Sequence, residues 1–341
     1  MNLEDFNYNL PRNLIAQHPL HRRDQARLMV IDRNRKRIIH DSFSNIRKYL
    51  PKNSCIVLND SRVVPARLLG KRERSGGKVE VFLLKRLSDG YSYKTLLRPL
   101  RRLRNEDRIV FNGGDLVAKI KDWENRIVKF NKKNISKQLE KIGHIPLPPY
   151  IKRPDRAADR KYYQTVYAQK SGSVASPTAG LHFTNRLLKS IEKDGHAIEK
   201  VTLHINYATF KPVEEEDVTK HKMHVEDYSL TSKTLSAIRG AKTKDRKVVA
   251  VGTTSCRVLE TVAKAGSAAR PALRGSTDIF IYPGFQFQMV DILLTNFHLP
   301  LSTLLMLIYA FGTKDLMARA YREAVKEKYR FFSYGDAMLI I

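Results

Sequence analysis

Cysteine is scarce in this sequence, with only Cys55 and Cys256 among 341 residues. Two cysteines cannot form a disulfide framework, and neither stands at a spacing typical of paired metal ligands. The glycine and lysine spacing of a Walker loop and the glycine fingerprint of a dinucleotide-binding fold are missing too. These absences argue against a disulfide-stabilised secreted domain, a cysteine-based zinc module and the two best-known phosphate-binding loops.

Long hydrophobic runs are also missing. The longest one, Leu299–Phe311, is too short to cross a bilayer and is interrupted by Ser302 and Thr303. The first ten residues carry Glu4 and Asp5 and have no apolar core, unlike a signal peptide. We therefore expect a cytoplasmic protein.

Acidic residues are few relative to basic ones. The chain has 62 Lys and Arg against 34 Asp and Glu, a net charge of +28. Residues 1–170 hold 39 basic and 17 acidic residues, a net of +22, whereas residues 171–341 hold 23 and 17, a net of +6. Charge concentrated in one half indicates a surface for a polyanion, and we favour a nucleic acid. An anionic membrane and a merely solvated basic surface are the alternatives.

Residues 67–130 consist of short alternating segments separated by turns such as Ser75-Gly76-Gly77 and Gly113-Gly114. Strands at this spacing, with no helix between them, predict a small antiparallel barrel. The proline-rich segment 145–150 cannot continue a strand ladder and makes a stiff connector. The predicted strands are Lys78–Leu84, Tyr91–Leu97, Arg108–Phe111, Leu116–Ile120 and Ile127–Phe130.

The sequence on both sides of this region alternates between strand and helix patterns, which favours a layered sheet with helices on its faces. We predict an α/β fold: a layered α/β catalytic domain of residues 1–62 and 152–341, with an inserted β-barrel domain of residues 63–151. Strands are predicted at Arg27–Asp32, Cys55–Leu58, Ala197–Leu203, Lys247–Val251 and Asp278–Tyr282, and helices at Asn185–Asp194, Ser232–Ala241, Arg257–Ala265 and Lys314–Glu327.

Two loops carry hydroxyl-rich motifs next to predicted helices. Gly252-Thr253-Thr254-Ser255 follows a strand, and free N–H groups at a helix start could hold a ribose or a carboxylate. The Ser176–Thr184 loop contains Gly180, which permits close backbone approach, and His182, which can transfer protons. Structural helix capping is the alternative for both motifs, and Thr184 is the predicted N-cap of its helix.

Two further histidine motifs stand in the second half. His221 and His224 precede Glu226, but no third ligand follows at zincin spacing, so we favour substrate positioning over a metal site or surface histidines. Asn296 and His298 lie where a predicted strand leads into an apolar helix. In the tail, residues 330–336, aromatic side chains stand beside the carboxylate of Asp336, a combination that suits a cationic ligand. The alternative is that these aromatic residues pack as part of a C-terminal strand.

Taken in order, these segments resemble the S-adenosylmethionine:tRNA ribosyltransferase-isomerase family of queuosine biosynthesis. The resemblance runs nearly from end to end, and each motif alone would be weak. It is carried by Asp5-Phe6, Leu14–Gln17, Leu58–Arg67, Gly143–Ile151, Pro177–Thr184, His221–Glu226, Gly252–Ser255, Asp278–Gly284, Thr295–Pro300 and Phe331–Leu339. The chain departs from the family pattern at Asn206 and Ala208, which replace two glycines.

The resemblance implies an enzyme that transfers and isomerises the ribosyl unit of S-adenosylmethionine. The acceptor is the aminomethyl group of 7-aminomethyl-7-deazaguanine at the wobble position of tRNA. The product is epoxyqueuosine-tRNA, and adenine and methionine are released. No metal or redox cofactor is implied, and we expect a monomer. The alternatives are an S-adenosylmethionine-dependent RNA methyltransferase and, given Asn206 and Ala208, a non-catalytic RNA-binding relative.

Proton transfer in this reaction needs positioned side chains, and histidines suit it. We assign the proton transfers to His182, His204 and His298, without choosing the base. The expected substrate-binding residues are Asn59, Asp60, Arg62, Thr178, Gly180, Thr209, His221, His224, Thr253, Thr254, Ser255, Arg257, Asn296, Tyr334 and Asp336, the last two beside the sulfonium. The expected phosphate contacts of the tRNA are Arg98, Arg101, Arg102, Arg104, Lys152, Arg153, Arg156 and Arg160.

Overall fold

A nine-stranded mixed sheet forms the centre of the computed structural model, which describes residues 1–206, 213, 215–265 and 273–341. In chain order the strands are β1 (Arg27–Asp32), β2 (Arg37–Ser42), β3 (Cys55–Asn59), β4 (Ser61–Val63), β5 (Arg67–Arg72), β6 (Lys78–Arg86), β7 (Ser92–Arg98), β8 (Arg108–Phe111), β9 (Leu116–Asp122), β10 (Ile127–Phe130), β11 (Lys170–Ser173), β12 (Ala197–Leu203), β13 (Glu226–Leu230), β14 (Val248–Val251), β15 (Arg274–Thr277), β16 (Ile292–Asn296) and β17 (Ala337–Ile340).

Helices connect and cover these strands. The α-helices are α1 (Ser136–Ile142), α2 (Asp159–Tyr162), α3 (Asn185–Lys193), α4 (Ser232–Thr243), α5 (Thr253–Lys264), α6 (Thr303–Gly312) and α7 (Lys314–Lys326). Short 3₁₀ helices lie at Leu3–Phe6, Arg12–Leu14, Arg23–Gln25, Phe43–Tyr49, Leu100–Arg102, Asn112–Gly114, Thr178–His182 and Val218–Lys220.

The strand order in the large sheet is β15-β13-β12-β3-β14-β16-β17-β1-β2. The central four strands, β12, β3, β14 and β16, run parallel to one another. Their carboxyl ends therefore meet at one edge of the sheet. β17 runs antiparallel to β16, with Ala337 opposite Asn296, so the segment that precedes β17 reaches the same edge.

Side chains alternate between the two faces of the sheet and build two cores. On β3, Cys55 and Val57 pack on the face covered by α4, α5, α6 and α7, whereas Ile56 and Leu58 pack on the other face. That second face is covered by α3 and by the 3₁₀ helices at 43–49 and 178–182. The predicted layered arrangement of sheet and helices is thus confirmed.

The predicted barrel is confirmed as a closed six-stranded antiparallel structure, β10-β7-β6-β5-β8-β9, lying wholly within the described residues. β5 supplies the sixth strand. Alternate side chains fill a separate core that includes Leu68, Val81 and Ile109. The barrel strands occupy residues 67–130, inside the predicted interval 63–151, and the exact domain boundaries stay a prediction.

Two sequence-based assignments need correction. The segment Asp278–Tyr282 is not a strand; its alternating pattern arises because Ile281 is buried in the main core while Phe280 and Tyr282 pack against it from a loop. The helix predicted from Arg257 begins at Thr253, because Gly252 adopts a φ of 88° that turns the chain directly from β14 into α5. Within the described residues, no helix has both the length and the apolar character needed to span a bilayer.

Candidate active site

A cavity of about 650 Å³ lies at the carboxyl edge of the parallel strands. β14 delivers Gly252–Thr254 to it, β16 delivers Thr295 and Asn296, and Ile205 follows β12. The carboxyl edge of parallel strands is the usual ligand site of open α/β sheets. The described lining consists of residues 12, 15, 17, 149, 150, 152, 175–179, 205, 252–254, 295–302, 304, 332 and 333.

Two aromatic rings form part of the cavity wall. The ring centroids of Tyr150 and Phe332 are 4.5 Å apart, with the ring planes tilted by 34°. The hydroxyl groups of Tyr150 and Ser333 are hydrogen-bonded at 2.6 Å, which fixes the tyrosine ring. Tyr150 belongs to the proline-rich connector that follows the barrel, so this segment joins the barrel to the cavity.

His298 is the predicted proton-transfer residue that lines the cavity. Its Nε2 lies 2.8 Å from the Thr295 hydroxyl, and its backbone N–H donates to the Tyr321 hydroxyl at 3.1 Å. Burial lowers the pKa of His298 to about 3, so the imidazole is neutral at neutral pH and retains a lone pair. Because Nε2 faces Thr295, Nδ1 is the ring nitrogen left to act on a ligand.

His182 lies behind the cavity wall. Its Nε2 is 3.2 Å from the side-chain nitrogen of Asn296, and its ring packs 5.0 Å from that of Phe43. Burial, followed by the charges of Arg330 and Arg23, lowers its pKa to about 3. His182 therefore holds Asn296 in the geometry seen here.

His204 lies apart from both of these histidines. Its ring packs close to Gly172, whose φ is 140°, and a side chain at that glycine would crowd the imidazole. Burial lowers the pKa of His204, and its Nδ1 makes no hydrogen bond with the described residues. In the described part of the chain it does not line the cavity, so its role as a proton-transfer group stays a prediction.

The two low histidine pKa values predict acid-sensitive folding. Lowering the pH from 7 to 5 should reduce the free energy of unfolding by about 2 kcal/mol for each of His182 and His298. The unfolded chain binds these protons below pH 6.5, whereas the folded chain binds them only near pH 3. Urea titrations at the two pH values measure this difference. Glutamine at position 182 or 298 should reduce the loss of unfolding free energy between pH 7 and pH 5 by the contribution of that histidine, whereas His18→Gln, at an exposed site, should leave the loss unchanged. An equal loss in all variants would contradict the assignment.

Asn59 and Asp60 support the site from behind. The Asn59 amide nitrogen donates to the Leu203 carbonyl and to the Thr254 hydroxyl, each at 3.1 Å. A carboxylate oxygen of Asp60 accepts a hydrogen bond from Thr202 at 2.6 Å. Arg62 is exposed and lies 3.7 Å from Glu140. In the described structure all three lie outside the cavity lining.

The two hydroxyl-rich loops divide between cavity and core. Thr178, Thr253 and Thr254 line the cavity, and their contacts with a substrate stay a prediction. Ser255 instead donates to the Val251 carbonyl at 2.9 Å. Gly180 is needed for packing, because a Cβ there would overlap the hydroxyl of Tyr167. The predicted N-cap is confirmed: Thr184 accepts a hydrogen bond from the Leu187 N–H at 3.1 Å.

The His221–Glu226 cluster lies away from the cavity lining described above. His221 Nδ1 is 3.0 Å from Glu215, its ring packs edge-on against Phe280, and His224 is exposed. In the described chain, no three His, Cys, Asp or Glu side chains come together as a candidate metal site. Thr209, another predicted substrate contact, and Ala208 lie outside the described residues.

Arg257 takes part in a buried ion pair instead of the cavity wall. Its guanidinium donates to Glu226, and its Nε donates to the Ile279 carbonyl at 3.3 Å. The side chains of Arg257 and Glu226 are 6% and 3% exposed. Glu226 also accepts the Asn206 N–H at 2.9 Å, so the pair anchors the segment that carries Ile205 to the cavity.

Tyr334 and Asp336 are used inside the fold. Asp336 accepts the backbone N–H groups of Arg27 and Arg330 at 2.9 and 2.8 Å. Tyr334 donates to Asp159 at 2.8 Å. Neither lines the cavity in the described structure, so the expected contact with a sulfonium is replaced by two internal networks. Aromatic residues beside a carboxylate are compatible with either use, and sequence alone does not separate them.

Seven of the eight residues expected to contact tRNA phosphates are exposed: Arg98, Arg101, Arg102, Arg104, Lys152, Arg156 and Arg160. Arg153 is the exception. Its side chain is 12% exposed and donates to both oxygens of Asp159, at 2.7 and 2.9 Å. The structure thus gives Arg153 an internal partner in place of a phosphate.

Several cavity residues were not singled out as site residues from the sequence. Ser176, Tyr150, Phe332 and Gln17 stood within segments already noted, but none of them was assigned a role of its own. Arg12 belongs to no motif. Only the folding of distant segments brings these residues together.

Comparisons with known proteins agree over the whole chain. A sequence profile of the family described as "Queuosine biosynthesis protein" matches residues 3–340. The chain is 51% identical over 342 residues to the S-adenosylmethionine:tRNA ribosyltransferase-isomerase of Sulfurihydrogenibium sp. (strain YO3AOP1), with 100% of both chains covered. It is 49% identical over 345 residues to the protein of the same name from Halothermothrix orenii (strain H 168), again with 100% of both covered. The crystal structure of S-adenosylmethionine tRNA ribosyltransferase from Thermotoga maritima is 37% identical, with a TM-score of 0.56, covering 99% of this chain and 100% of its own.

Proposed function

The chain belongs to the queuosine biosynthesis protein family, and from this membership we propose that it is an S-adenosylmethionine:tRNA ribosyltransferase-isomerase. It moves the ribosyl unit of S-adenosylmethionine to the aminomethyl group of 7-aminomethyl-7-deazaguanine at the tRNA wobble position. The product is epoxyqueuosine-tRNA, with release of adenine and methionine. The protein acts in the cytoplasm as a monomer and uses no metal or redox cofactor.

The cavity at the strand ends is the observation that supports this function most directly. Its volume of about 650 Å³ falls in the range of about 300–1,000 Å³ that is typical of small-molecule sites. Hydroxyl groups, two amides, an imidazole and three aromatic rings line it. A donor built from a purine, a ribose and an amino acid needs this mixture of polar and flat apolar surfaces.

Within this proposal His298 is the general base. The sulfonium of the donor acidifies the adjacent ribose carbon, and the neutral imidazole in the cavity offers a lone pair for the proton; because the pKa of His298 is about 3 in the free protein, efficient transfer requires that the bound substrates raise this pKa toward the operating pH. Thr295 orients the ring through Nε2, which leaves Nδ1 for the reaction. Thr178, Thr253 and Thr254 hold the ribose or the methionine portion, near the first N–H groups of α5. His182 acts through Asn296 as a positioning residue.

The tRNA binds across the basic barrel and the connector that reaches the cavity. The target nucleotide must leave the anticodon stack to enter the site, as in other enzymes that act on a base. Lys152 lines the cavity and is exposed, so it stands where the phosphate backbone would pass the opening. The exposed arginines at 98, 101, 102, 104, 156 and 160 provide further phosphate contacts.

Neutralising part of the basic barrel surface should weaken tRNA binding and its salt dependence. In the triple variant Arg98→Gln, Arg101→Gln, Arg102→Gln, the slope of log K against log salt should fall by about 2 to 3, because each phosphate contact contributes a slope of about 0.7 to 0.9. Filter binding at salt concentrations between about 50 and 300 mM measures this slope. The triple change Arg322→Gln, Lys326→Gln, Lys328→Gln removes the same charge outside the barrel. Equal slopes in both variants would refute the proposed tRNA face.

The decisive test of the activity is to incubate the protein with S-adenosylmethionine and precursor tRNA and to analyse the wobble nucleoside by mass spectrometry. Epoxyqueuosine with stoichiometric adenine is expected. Label from the donor methyl group in the tRNA would instead indicate a methyltransferase. Binding of donor and tRNA without any new nucleoside would indicate a non-catalytic relative.

A further inference from the structure

Asn296 has one polar atom that the fold leaves unused. Its side chain is buried, with the residue 2% exposed, and it lines the cavity. The amide nitrogen lies 3.2 Å from His182 Nε2, 3.3 Å from the Phe332 carbonyl and 3.4 Å from the Asp336 carbonyl. The amide oxygen accepts no hydrogen bond from the described residues. A buried acceptor without a donor costs about 1–3 kcal/mol, so its retention calls for a ligand.

The neighbours of the amide decide which way it points. Two of the three atoms around the nitrogen are backbone carbonyl oxygens, which only accept hydrogen bonds. Rotating the amide by 180° would set its oxygen against them. The third neighbour, His182, is neutral because its pKa is about 3, so its Nε2 can accept as well. The oxygen is therefore the amide atom left without a partner among the described residues; it is closed to water in this structure, so a ligand reaches it only with a shift of the adjoining wall.

The aromatic wall stands beside this amide. Phe332, whose carbonyl receives the Asn296 hydrogen bond, has a φ of 70°, a left-handed conformation that is uncommon for a bulky residue. Such conformations cost about 1–3 kcal/mol and concentrate at functional sites. Here the strained backbone places the Phe332 ring in the cavity wall against Tyr150. A flat surface next to a lone acceptor suits a planar base that carries an amino group.

We propose that Asn296 selects the donor by accepting a hydrogen bond from the exocyclic amino group of its adenine, while Phe332 packs against the ring. The inference rests on the proposed function and names the residues that recognise the purine end. The bidentate pairing of asparagine with adenine is closed here because the amide nitrogen is occupied by internal acceptors, so the oxygen alone pairs with the amino group.

The target base fits this position less well. A guanine-type edge presents two adjacent donors, which a carboxylate matches better than a single amide oxygen does. The described lining of the cavity contains no Asp or Glu. The target base is also attached to tRNA and approaches from the opening, whereas Asn296 is buried at the end of β16.

The test compares S-adenosylmethionine with S-inosylmethionine, in which a carbonyl replaces the amino group. Calorimetry on the wild-type protein should show the inosine analogue binding about 10- to 100-fold more weakly, because two acceptors would then face each other. Equal dissociation constants would overturn the proposal. The proposal would also be overturned if the free base 7-aminomethyl-7-deazaguanine competed with the donor for the wild-type protein and this competition were lost in the Asn296→Ala variant.

Three variants separate the two parts of the recognition. Asn296→Ala should bring the ratio of the two dissociation constants to within about 3-fold of unity. Phe332→Leu should weaken both ligands by about 5- to 150-fold while preserving the ratio, because ring packing does not depend on the amino group. Leu188→Val, an apolar change outside the described cavity lining, should alter neither quantity. If Asn296→Ala does not fold, the wild-type comparison still decides.

The outcomes also separate this inference from the proposed function. Strong discrimination without formation of a new wobble nucleoside would sink the activity and leave the inference intact. Turnover of both donors at equal rates and equal affinities would sink the inference and leave the activity intact. A protein that binds neither donor would overturn both.

Discussion

Glutamine in place of His298 is expected to lower the rate of adenine release by about 10²- to 10⁴-fold, the usual contribution of a positioned general base. Glutamine keeps a hydrogen-bonding group near Thr295 but offers no basic nitrogen. The residue is buried and lies in the cavity wall, so the substitution acts at the reacting atoms and not on the surface. Single-turnover measurement of adenine release with saturating precursor tRNA gives the chemical step directly.

His196 is the matched control for this experiment. It is also a buried histidine whose pKa is lowered by burial, and its Nδ1 accepts the Ser54 N–H at 3.2 Å, outside the described cavity lining. His196→Gln should therefore retain a near-normal rate. His182→Gln and His204→Gln, measured alongside, test the other two candidates. Near-normal release in all three site variants would eliminate the histidine mechanism.

Replacing Arg257 by methionine should destabilise the protein by about 3–5 kcal/mol, because it removes the guanidinium that pairs with the buried Glu226 carboxylate. Removing both charges together, in Arg257→Met with Glu226→Leu, should cost less than the single change, since no uncompensated charge remains. Urea unfolding at pH 7 measures the free energies, and the double-mutant cycle isolates the coupling between the two residues.

An exposed ion pair provides the comparison. Arg35 is 77% exposed beside Asp32, and Arg35→Met should change the free energy of unfolding by less than about 1 kcal/mol. The buried pair should also affect the site, because Glu226 holds the Asn206 N–H next to Ile205 of the cavity wall. A single Arg257→Met change as mild as Arg35→Met would show that the pair does not anchor this wall.

The local pattern of the sequence was sufficient for the barrel and for four of the nine strands of the large sheet, β1, β3, β12 and β14. Strand alternation predicted the barrel strands, and turn residues marked their ends, because both signals depend on neighbours along the chain. The same reasoning failed at Asp278–Tyr282. There the alternation reflects burial of Ile281 from a loop, and the segment pairs with no strand among the described residues.

The residues predicted for the site reach the cavity where a motif follows a parallel strand. Thr253, Thr254, Asn296 and His298 all stand at such strand ends, and all four line the cavity. Some predicted site residues do not reach the described cavity lining, because their polar side chains form hydrogen bonds or ion pairs inside the protein. Asp336 and Arg153 carry charges that look suited to ligands, but Asp336 binds backbone N–H groups and Arg153 binds Asp159.

The sequence by itself determined the layered α/β fold with its barrel, the concentration of positive charge in the first half, and the family resemblance, since each is written in local order and composition. Only the tertiary structure decided which polar groups meet the cavity and which are satisfied internally. The physical reason is that hydrogen-bond satisfaction is a property of three-dimensional neighbours. Asn296 and Asp336 are similar polar residues in the sequence, yet one keeps an unused acceptor at the cavity and the other has its carboxylate bonded to the backbone.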